Sequence, residues 1–228
     1  MQILPFYLVC DQSSSMDGEP IDTINATLPE LHREISINPR VSDKAHFGII
    51  AFGYSAQVML ELSDLSDVAE MPELIAQGTT NYTAAFDLLR DTIEKDVRRL
   101  RDMQHTVLRP VVFFLSDGLP SDAEGNLDSG SWIAAHSELV SPDFYAHPNI
   151  VAFGIGQCDA DTVRRVATFK AFVQQDSTMS PVAALREFAS SLSRSIVKSV
   201  SRNDVMAGPR LQVEDEIPGF SSLPLDTL

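Results

Sequence analysis

Four short, continuous apolar segments divide this chain, and longer stretches with helical periodicity separate them. They are residues 3–10 (ILPFYLVC), 46–52 (HFGIIAF), 110–115 (PVVFFL) and 150–155 (IVAFGI). Strands of parallel sheets have such continuous apolar sequences, because both of their faces are buried. Because strands that alternate with helices form parallel sheets with right-handed crossovers, we expect an α/β domain. Its sheet should be doubly wound and mostly parallel, with helices on both faces.

Weaker signals complete this pattern. The alternating segment at residues 58–62 (VMLEL) predicts a strand at a sheet edge, and a further short strand is expected near residues 171–173. Apolar residues recur with helical spacing between the strands, in segments 21–35, 82–100, 132–139 and 185–196. Pro29 lies inside the first of these segments and predicts a kink or a break there.

Length and charge limit the organisation and the partners. The 228 residues suit one α/β domain, with or without a tail. The 32 acidic and 17 basic side chains give a formal net charge of -15, which repels phosphate backbones and anionic lipids. No apolar segment approaches the roughly 20 residues needed to cross a bilayer. We therefore expect neither nucleic acid nor a membrane as a partner.

The N-terminal sequence and the number of cysteines indicate the cellular compartment. The first residues, MQILPFYLVC, contain no basic region and no small-residue cleavage site, and they run directly into the first predicted strand. We therefore expect no signal peptide and a cytoplasmic location. Cys10 and Cys158 follow different predicted strands, and two cysteines in a chain of this length indicate buried thiols rather than a disulfide framework.

The helical period ends near Ser201, which predicts a domain over residues 1–201 and an acidic, proline-containing tail over 202–228. Such a composition is typical of extended or disordered segments. The Glu214-Asp215-Glu216 run in this tail could present a carboxylate to the metal of a neighbouring molecule, or the tail could add a strand to a sheet edge. Composition favours the simpler interpretation of a solvated acidic tail.

Three polar motifs stand at the ends of predicted strands or just before a helix. They are DQSSS at residues 11–15, GTTN at 78–81 and SDG at 116–118. In an open α/β sheet such motifs meet in the crevice at the carboxyl ends of the strands. Two carboxylates with several hydroxyls suit a hard cation, Mg²⁺ or Mn²⁺ and then Ca²⁺, rather than zinc or copper. Taken alone, DQSSS would also suit a polar turn that caps the next helix.

The motif residues resemble the metal-ion-dependent adhesion site of the von Willebrand factor type A domain. They are Asp11, Ser13, Ser15, Thr80 and Asp117. The resemblance extends to about residue 200 and implies that both serines bind the metal directly. It implies that Thr80 and the two aspartates bind it directly or through water. The loop reads GTTNYT, so Thr79 is an alternative to Thr80, which we prefer because it immediately precedes the asparagine.

The resemblance also implies a function. Members of the family bind protein partners through a divalent cation, and a partner's Asp or Glu often takes the open coordination position. This sequence is similar to bacterial stand-alone members, including tellurium-resistance-associated proteins, which implies a role in an intracellular stress or signalling assembly.

Two alternatives to this module are a metal-free scaffold and a metal-dependent phosphohydrolase of Rossmann-like fold. A phosphohydrolase of the haloacid dehalogenase type would need a second aspartate where Ser13 stands. No G-x-S-x-G motif surrounds Ser13 or Ser15, and no histidine lies in a motif with an acid and a serine. We therefore expect a binding module and not an enzyme.

Overall fold

The computed structural model describes residues 1–37, 41, 43–122, 124–128, 130–156, 158–175, 179–201 and 209–225. Within these residues the strands are β1 (Gln2–Asp11), β2 (Ala45–Phe52), β3 (Ala56–Asp64), β4 (Thr106–Val107), β5 (Val111–Ser116), β6 (Asn149–Gly154), β7 (Lys170–Gln174) and β8 (Phe220–Leu223). The helices are α1 (Glu19–Ser36), α2 (Tyr82–Asp102), α3 (Trp132–Val140), α4 (Ala160–Val166) and α5 (Pro181–Ser201). No helix in the described ranges is both long and apolar enough to span a bilayer.

The strands form one sheet in the order β3-β2-β1-β5-β6-β7-β8, and β4 pairs with the start of β1. Neighbours from β2 to β7 run parallel, whereas β3 and β8 are antiparallel edge strands. The predicted doubly wound α/β class is confirmed, as is the edge position of the alternating segment. The strand order reverses between β1 and β5, so the ligand crevice expected for this topology lies at their carboxyl ends.

The sheet is covered on both faces, as the continuous apolar strands predict. Every residue of β5 is buried, and in β1 only the first residue is exposed. One core packs α1 and α5 against the sheet, and a second core packs α2, α3 and α4 against the opposite face. Because strands of this kind have no solvent face, their ends are where polar chemistry can begin.

Helix α1 passes through Pro29 without a break. The helix is continuous from Glu19 to Ser36, and Pro29 is exposed. Buried Ile24 and Leu28 before the proline and Leu31 after it hold both halves of the helix against the same core. The predicted break is therefore wrong, because tertiary packing outweighs the missing amide hydrogen bond.

The C-terminal segment is also more ordered than its composition indicates. Residues 209–225 lie against the domain, and their apolar side chains Leu211, Ile217 and Phe220 are buried. Strand β8 pairs antiparallel with β7. The expectation of a solvated, extended tail is wrong for these residues, and they supply an edge strand to the sheet of their own chain. The boundary at residue 201 remains a prediction, since residues 202–208 lie outside the described part.

Charged groups hold this segment in place. Glu214 accepts from Arg194 Nε at 3.0 Å and pairs with Lys198 Nζ at 2.7 Å, while Asp215 pairs with Lys170 Nζ at 2.6 Å. The Lys170 ammonium also donates to the backbone carbonyl of Val213 at 3.0 Å. Two of the three acidic residues that could have reached a neighbouring molecule's metal are therefore already paired within the chain.

We predict that Phe220→Ala lowers the free energy of unfolding by about 3–5 kcal/mol, the usual cost of removing a buried phenyl group. The Phe220 ring packs edge-on against Phe153 at a centroid distance of 5.5 Å. Chemical denaturation measures the change. Ser222→Ala, at an exposed position of the same strand, should stay within about 0.5 kcal/mol of the wild type. Equal stabilities for both variants would show that β8 does not contribute to the core.

Candidate metal centre

The three polar motifs of the sequence converge at the carboxyl ends of β1 and β5. Strand β1 ends at Asp11 and continues into a short 3-10 turn over Ser14–Met16. Strand β5 ends at Ser116, the residue before Asp117. Thr80 stands just before α2, whose first turn is capped by the Asn81 side chain through the backbone N–H of Ala84. The topological reversal therefore collects all three motifs at one edge of the sheet.

Asp11 lies at the bottom of the site, fully buried and held through both carboxylate oxygens. Its Oδ1 accepts the backbone N–H of Ser13 at 2.8 Å. Its Oδ2 accepts the hydroxyl of Ser116 at 2.6 Å. These two contacts fix the carboxylate plane and join the end of β1 to the end of β5. Ser116 belongs to the SDG motif but was not predicted as a functional residue, because only the pairing of the two strands shows what its hydroxyl contacts.

A chain of hydroxyl groups connects the two loops above Asp11. Ser15 Oγ donates to Asp117 Oδ1 at 2.8 Å, and Ser13 Oγ lies 2.9 Å from Ser15 Oγ. A serine hydroxyl has one proton, and that of Ser15 is directed to Asp117, so Ser13 must donate to Ser15. The site residues predicted from the first and third motifs are therefore joined in one hydrogen-bonded chain.

The second motif approaches from the loop before α2. A β-carbon placed on Gly118 would lie 3.5 Å from Thr80 Oγ1, so the Thr80 hydroxyl faces the turn that follows Asp117. Its backbone N–H donates to Ser121 Oγ at 2.8 Å. Thr79 instead directs its hydroxyl to the carbonyl of Asp122 at 3.4 Å. This geometry favours Thr80 over Thr79 as the threonine of the site.

Backbone contacts fix this second loop to β1. Ser14 donates to the Gly78 carbonyl through its backbone N–H and its hydroxyl, each at 3.0 Å. The N–H of Gln77 donates to the carbonyl of Gln12 at 2.6 Å. Gly78 has a φ of +82°, and a β-carbon there would lie 2.7 Å from the backbone nitrogen of Tyr54. The loop can approach this closely only because position 78 has no side chain.

Burial disfavours negative charge on both carboxylates. Burial, and secondly repulsion from Asp117, raises the pKa of Asp11 to about 7, against the opposing effect of the hydrogen bonds from Ser116 and Ser13. Burial also raises the pKa of Asp117, which the hydroxyl of Ser15 partly offsets. A bound cation would favour the ionised form of both groups. In the described part of the chain, the hydrogen bonds that other residues donate to these two acids come from serine residues and from no positively charged side chain.

The donor set consists of oxygen atoms from carboxylates and hydroxyls. Within the described residues, no group of three or more His, Cys, Asp or Glu side chains could hold a metal. Any cation here would therefore depend on the serine and threonine hydroxyls in addition to the two aspartates. Hard cations such as Mg²⁺, Mn²⁺ and Ca²⁺ accept such ligands, whereas zinc and copper favour imidazole and thiolate.

Comparison with solved structures identifies the fold class. The pilus adhesin SpaC from Lactobacillus rhamnosus GG superimposes with a TM-score of 0.65 at 12% identity, over 88% of this chain and 31% of SpaC. The vWF domain of the type V pili tip protein Mfa5 from Porphyromonas gingivalis gives 0.59 at 11% identity, over 90% of this chain and 98% of that domain. A von Willebrand factor type A protein from Catenulispora acidiphila gives 0.57 at 14% identity, over 86% and 43%. At these identities the similarity shows the fold alone.

A match to a family model shows which protein family the chain belongs to. The model of the von Willebrand factor type A domain matches residues 6–190, and the chain belongs to this family. No curated protein sequence matches the chain. This chain spans less than half the length of SpaC and of the Catenulispora protein, at 31% and 43%. Domains of this type are generally protein-interaction modules that often depend on a metal.

We predict that Gly78→Ala destabilises the protein more than Gly18→Ala does. Both glycines have a φ near +80°, a sparsely populated backbone region that costs a residue with a side chain about 1–3 kcal/mol. Only at Gly78 would the new β-carbon overlap backbone, that of Tyr54, because a β-carbon at Gly18 meets nothing within 4 Å. Denaturant unfolding of the two variants measures the difference. Equal losses would mean that the loop can move away from Tyr54 without cost.

Proposed function

We propose that this chain is a divalent-cation-dependent protein-binding module. The metal, Mg²⁺ or in its place Mn²⁺ or Ca²⁺, would be held by Asp11, Ser13, Ser15, Thr80 and Asp117. The observation that carries this proposal is the hydrogen-bonded chain from Ser13 through Ser15 to Asp117, above the buried carboxylate of Asp11. These hydrogen bonds hold the side-chain oxygens of Ser13, Ser15 and Asp117 within 2.8–2.9 Å of their neighbours in the chain, so that one cation could contact all three.

The solvent exposure of this centre supports the proposal that a partner's carboxylate completes the coordination of the metal. Ser14 and Ser15 are exposed, and Asp117 is half-buried, so the upper side of the centre is open to solvent. Mg²⁺ seldom receives a full set of ligands from one protein and keeps positions for water or for an outside group. Since only two carboxylates would serve the cation, an Asp or Glu of a partner protein could bind without excessive repulsion.

The chemistry near the centre supports binding rather than catalysis. The thiol of Cys10, the residue before Asp11, is fully buried, and its pKa is raised well above the usual range by burial and by the negative charges of Asp11 and Asp117. A thiol held in this protonated state is a poor nucleophile. Among the described residues, no histidine hydrogen-bonds to any of the five proposed ligands. The proposed role is therefore recognition, and the phosphohydrolase alternative lacks the second aspartate that it needs, because Ser13 stands at that position.

The cellular setting is a separate proposal. We place the module in the cytoplasm, in a bacterial stress or signalling assembly, as the similarity to tellurium-resistance-associated members suggests. The support is the family resemblance of the sequence and its acidic charge of -15. The adhesin and pilus-tip titles of structural neighbours belong to those proteins.

We predict that Mg²⁺, Mn²⁺ or Ca²⁺ raises the thermal midpoint over that in EDTA. A ligand at a hundred times its dissociation constant stabilises the native state by about 2.7 kcal/mol, or about 5–10 °C for a domain of this size. Differential scanning fluorimetry measures the shift. Asp11→Ala and Asp117→Ala should abolish it, whereas Asp143→Ala should retain it, because this exposed acid lies in the connection between α3 and β6.

The outcomes separate the proposals. No shift with any cation would make the metal-free scaffold the better interpretation, and a shift that persists in Asp117→Ala would place the cation elsewhere. Turnover of an aryl phosphate with Mg²⁺, lost in Asp11→Ala, would contradict the assignment as a binding module.

We also predict that the partner dissociates when the cation is removed. Proteins retained on the immobilised wild-type chain with Mg²⁺ should be lost in EDTA and lost on Asp117→Ala, because both changes remove the link to the partner's carboxylate. The Asp143→Ala chain should retain them. Quantitative mass spectrometry of the retained proteins checks this outcome. Partners that remain in all conditions would indicate a metal-free surface.

A further inference from the structure

A second cavity lies at the opposite edge of the sheet from the candidate metal centre. It has a volume of about 130 Å³ and is formed by the end of α2, the connection from β4 to β5 and the loop before β6. We call it the amino-edge pocket, because it lies at the amino ends of β5 and β6. Its lining residues are Val97, Arg101, Val107, Leu108, Arg109, Pro110, Tyr145, Ala146 and His147.

The charge of this pocket is opposite to that of the protein. Arg101, Arg109 and His147 line it, and none of its lining residues is acidic, although the chain carries a net charge of -15. Neither arginine pairs with a carboxylate in the described part of the chain. The preceding Arg98 and Arg99, by contrast, are paired with Glu94 and Asp96. Two unpaired guanidinium groups beside an acid-free cavity favour an anionic ligand.

The walls of the pocket are fixed by contacts that do not involve a ligand. Leu108 donates its backbone N–H to the carbonyl of Ile3 at 2.9 Å, and Asn149 donates to that of Pro110 at 2.8 Å. The guanidinium of Arg101 lies over the ring of Tyr145 at 4.9 Å from its centroid, within the range of a cation–π interaction. The cation is thus positioned in advance, which reduces the entropy lost on binding.

His147 adds a directional feature. Its Nδ1 lies 2.8 Å from the carbonyl of Phe144, and because a carbonyl can only accept, Nδ1 carries the proton. In the neutral ring, Nε2 is then an acceptor, and no protein group in the described ranges donates a hydrogen bond to it. Such a nitrogen accepts a hydrogen bond from an oxyanion that retains a proton, and it repels one that has none.

We propose that the amino-edge pocket binds inorganic phosphate in its hydrogen phosphate form. Arg101 and Arg109 would donate to the charged oxygens, and His147 Nε2 would accept from the P–OH group. A cavity of about 130 Å³ has room for a single tetrahedral oxyanion. The pocket shares no residue with the proposed metal ligands, so this proposal is independent of the metal.

The test is isothermal titration calorimetry in EDTA, at low ionic strength and slightly alkaline pH. The probes are inorganic phosphate, sulfate and phenyl phosphate, whose last proton leaves at about pH 6 like that of other monoesters. Phosphate should bind with a stoichiometry of one, and more tightly than either of the others, because only hydrogen phosphate offers a proton to Nε2. The phenyl phosphate titration separates free phosphate from a phosphorylated molecule as the source of the group.

Variants assign the binding to the pocket. Arg101→Gln and Arg109→Gln should each weaken phosphate binding at least about ten-fold, the usual effect of losing a charge-assisted hydrogen bond. Both side chains are exposed, so these variants should fold normally. Arg186→Gln makes the same charge change at an exposed site on α5 and should bind phosphate like the wild type. His147→Gln, whose amide can donate, should reduce the preference for phosphate over sulfate.

Other outcomes would overturn the proposal. Absence of phosphate binding, or unchanged binding in both Arg101→Gln and Arg109→Gln, would remove the pocket as an anion site. Tighter binding of sulfate or phenyl phosphate than of phosphate would overturn the hydrogen phosphate assignment and the role of His147. None of these results depends on the metal, because all titrations contain EDTA.

Discussion

The parallel pairing of β1 with β5 is the constraint on which the candidate metal centre depends. Cys10 stands opposite Leu115 in this ladder, so Asp11 and Ser116 leave the sheet side by side. The Ser116 hydroxyl then reaches the Asp11 carboxylate at 2.6 Å, and Asp117 follows within reach of Ser15. A shift of one residue in this register would exchange the faces of every side chain of β1, and the close packing of these side chains in the two cores opposes it. Packing of the apolar core thus fixes the two strands whose ends form the polar site, although the site itself buries little apolar surface.

The direction of the parallel strands also separates the charges of the molecule. The carboxyl edge holds Asp11 and Asp117, whose pKa values are raised by burial, while the amino edge holds Arg101 and Arg109 without carboxylate partners in the described residues. An acid confined in a desolvated site favours a cation, and an unpaired guanidinium beside a cavity favours an anion. The two proposed ligands, a divalent cation and hydrogen phosphate, would therefore bind at opposite ends of one sheet.

Most of the fold could be predicted from the chain, because its strong signals are local. Residues 46–52 became β2 (Ala45–Phe52) and residues 150–155 became β6 (Asn149–Gly154), since a continuous apolar segment can be satisfied only inside the sheet. Two predictions failed where distant packing outweighed a local preference. Helix α1 continues through Pro29 because the same core holds both of its halves. Residues 220–223 form a strand because β7 offers them a free edge, which no periodicity in the segment indicates.

The amino-acid sequence alone is enough to specify the α/β class and the position of the polar motifs at the ends of strands, because both follow from periodicity. It also specifies the residue types of an oxygen-ligand site, because these follow from the chemistry of single side chains. The contacts between these residues could be found only from the folded chain. They include the hydrogen bond from Ser116 to Asp11 and the orientation of Thr80, rather than Thr79, toward Gly118. They also include the ion pairs of Glu214 with Arg194 and Lys198. Each joins residues that are far apart along the chain. The distance between them in space is set by strand register and helix packing, and neither of these can be derived from local composition.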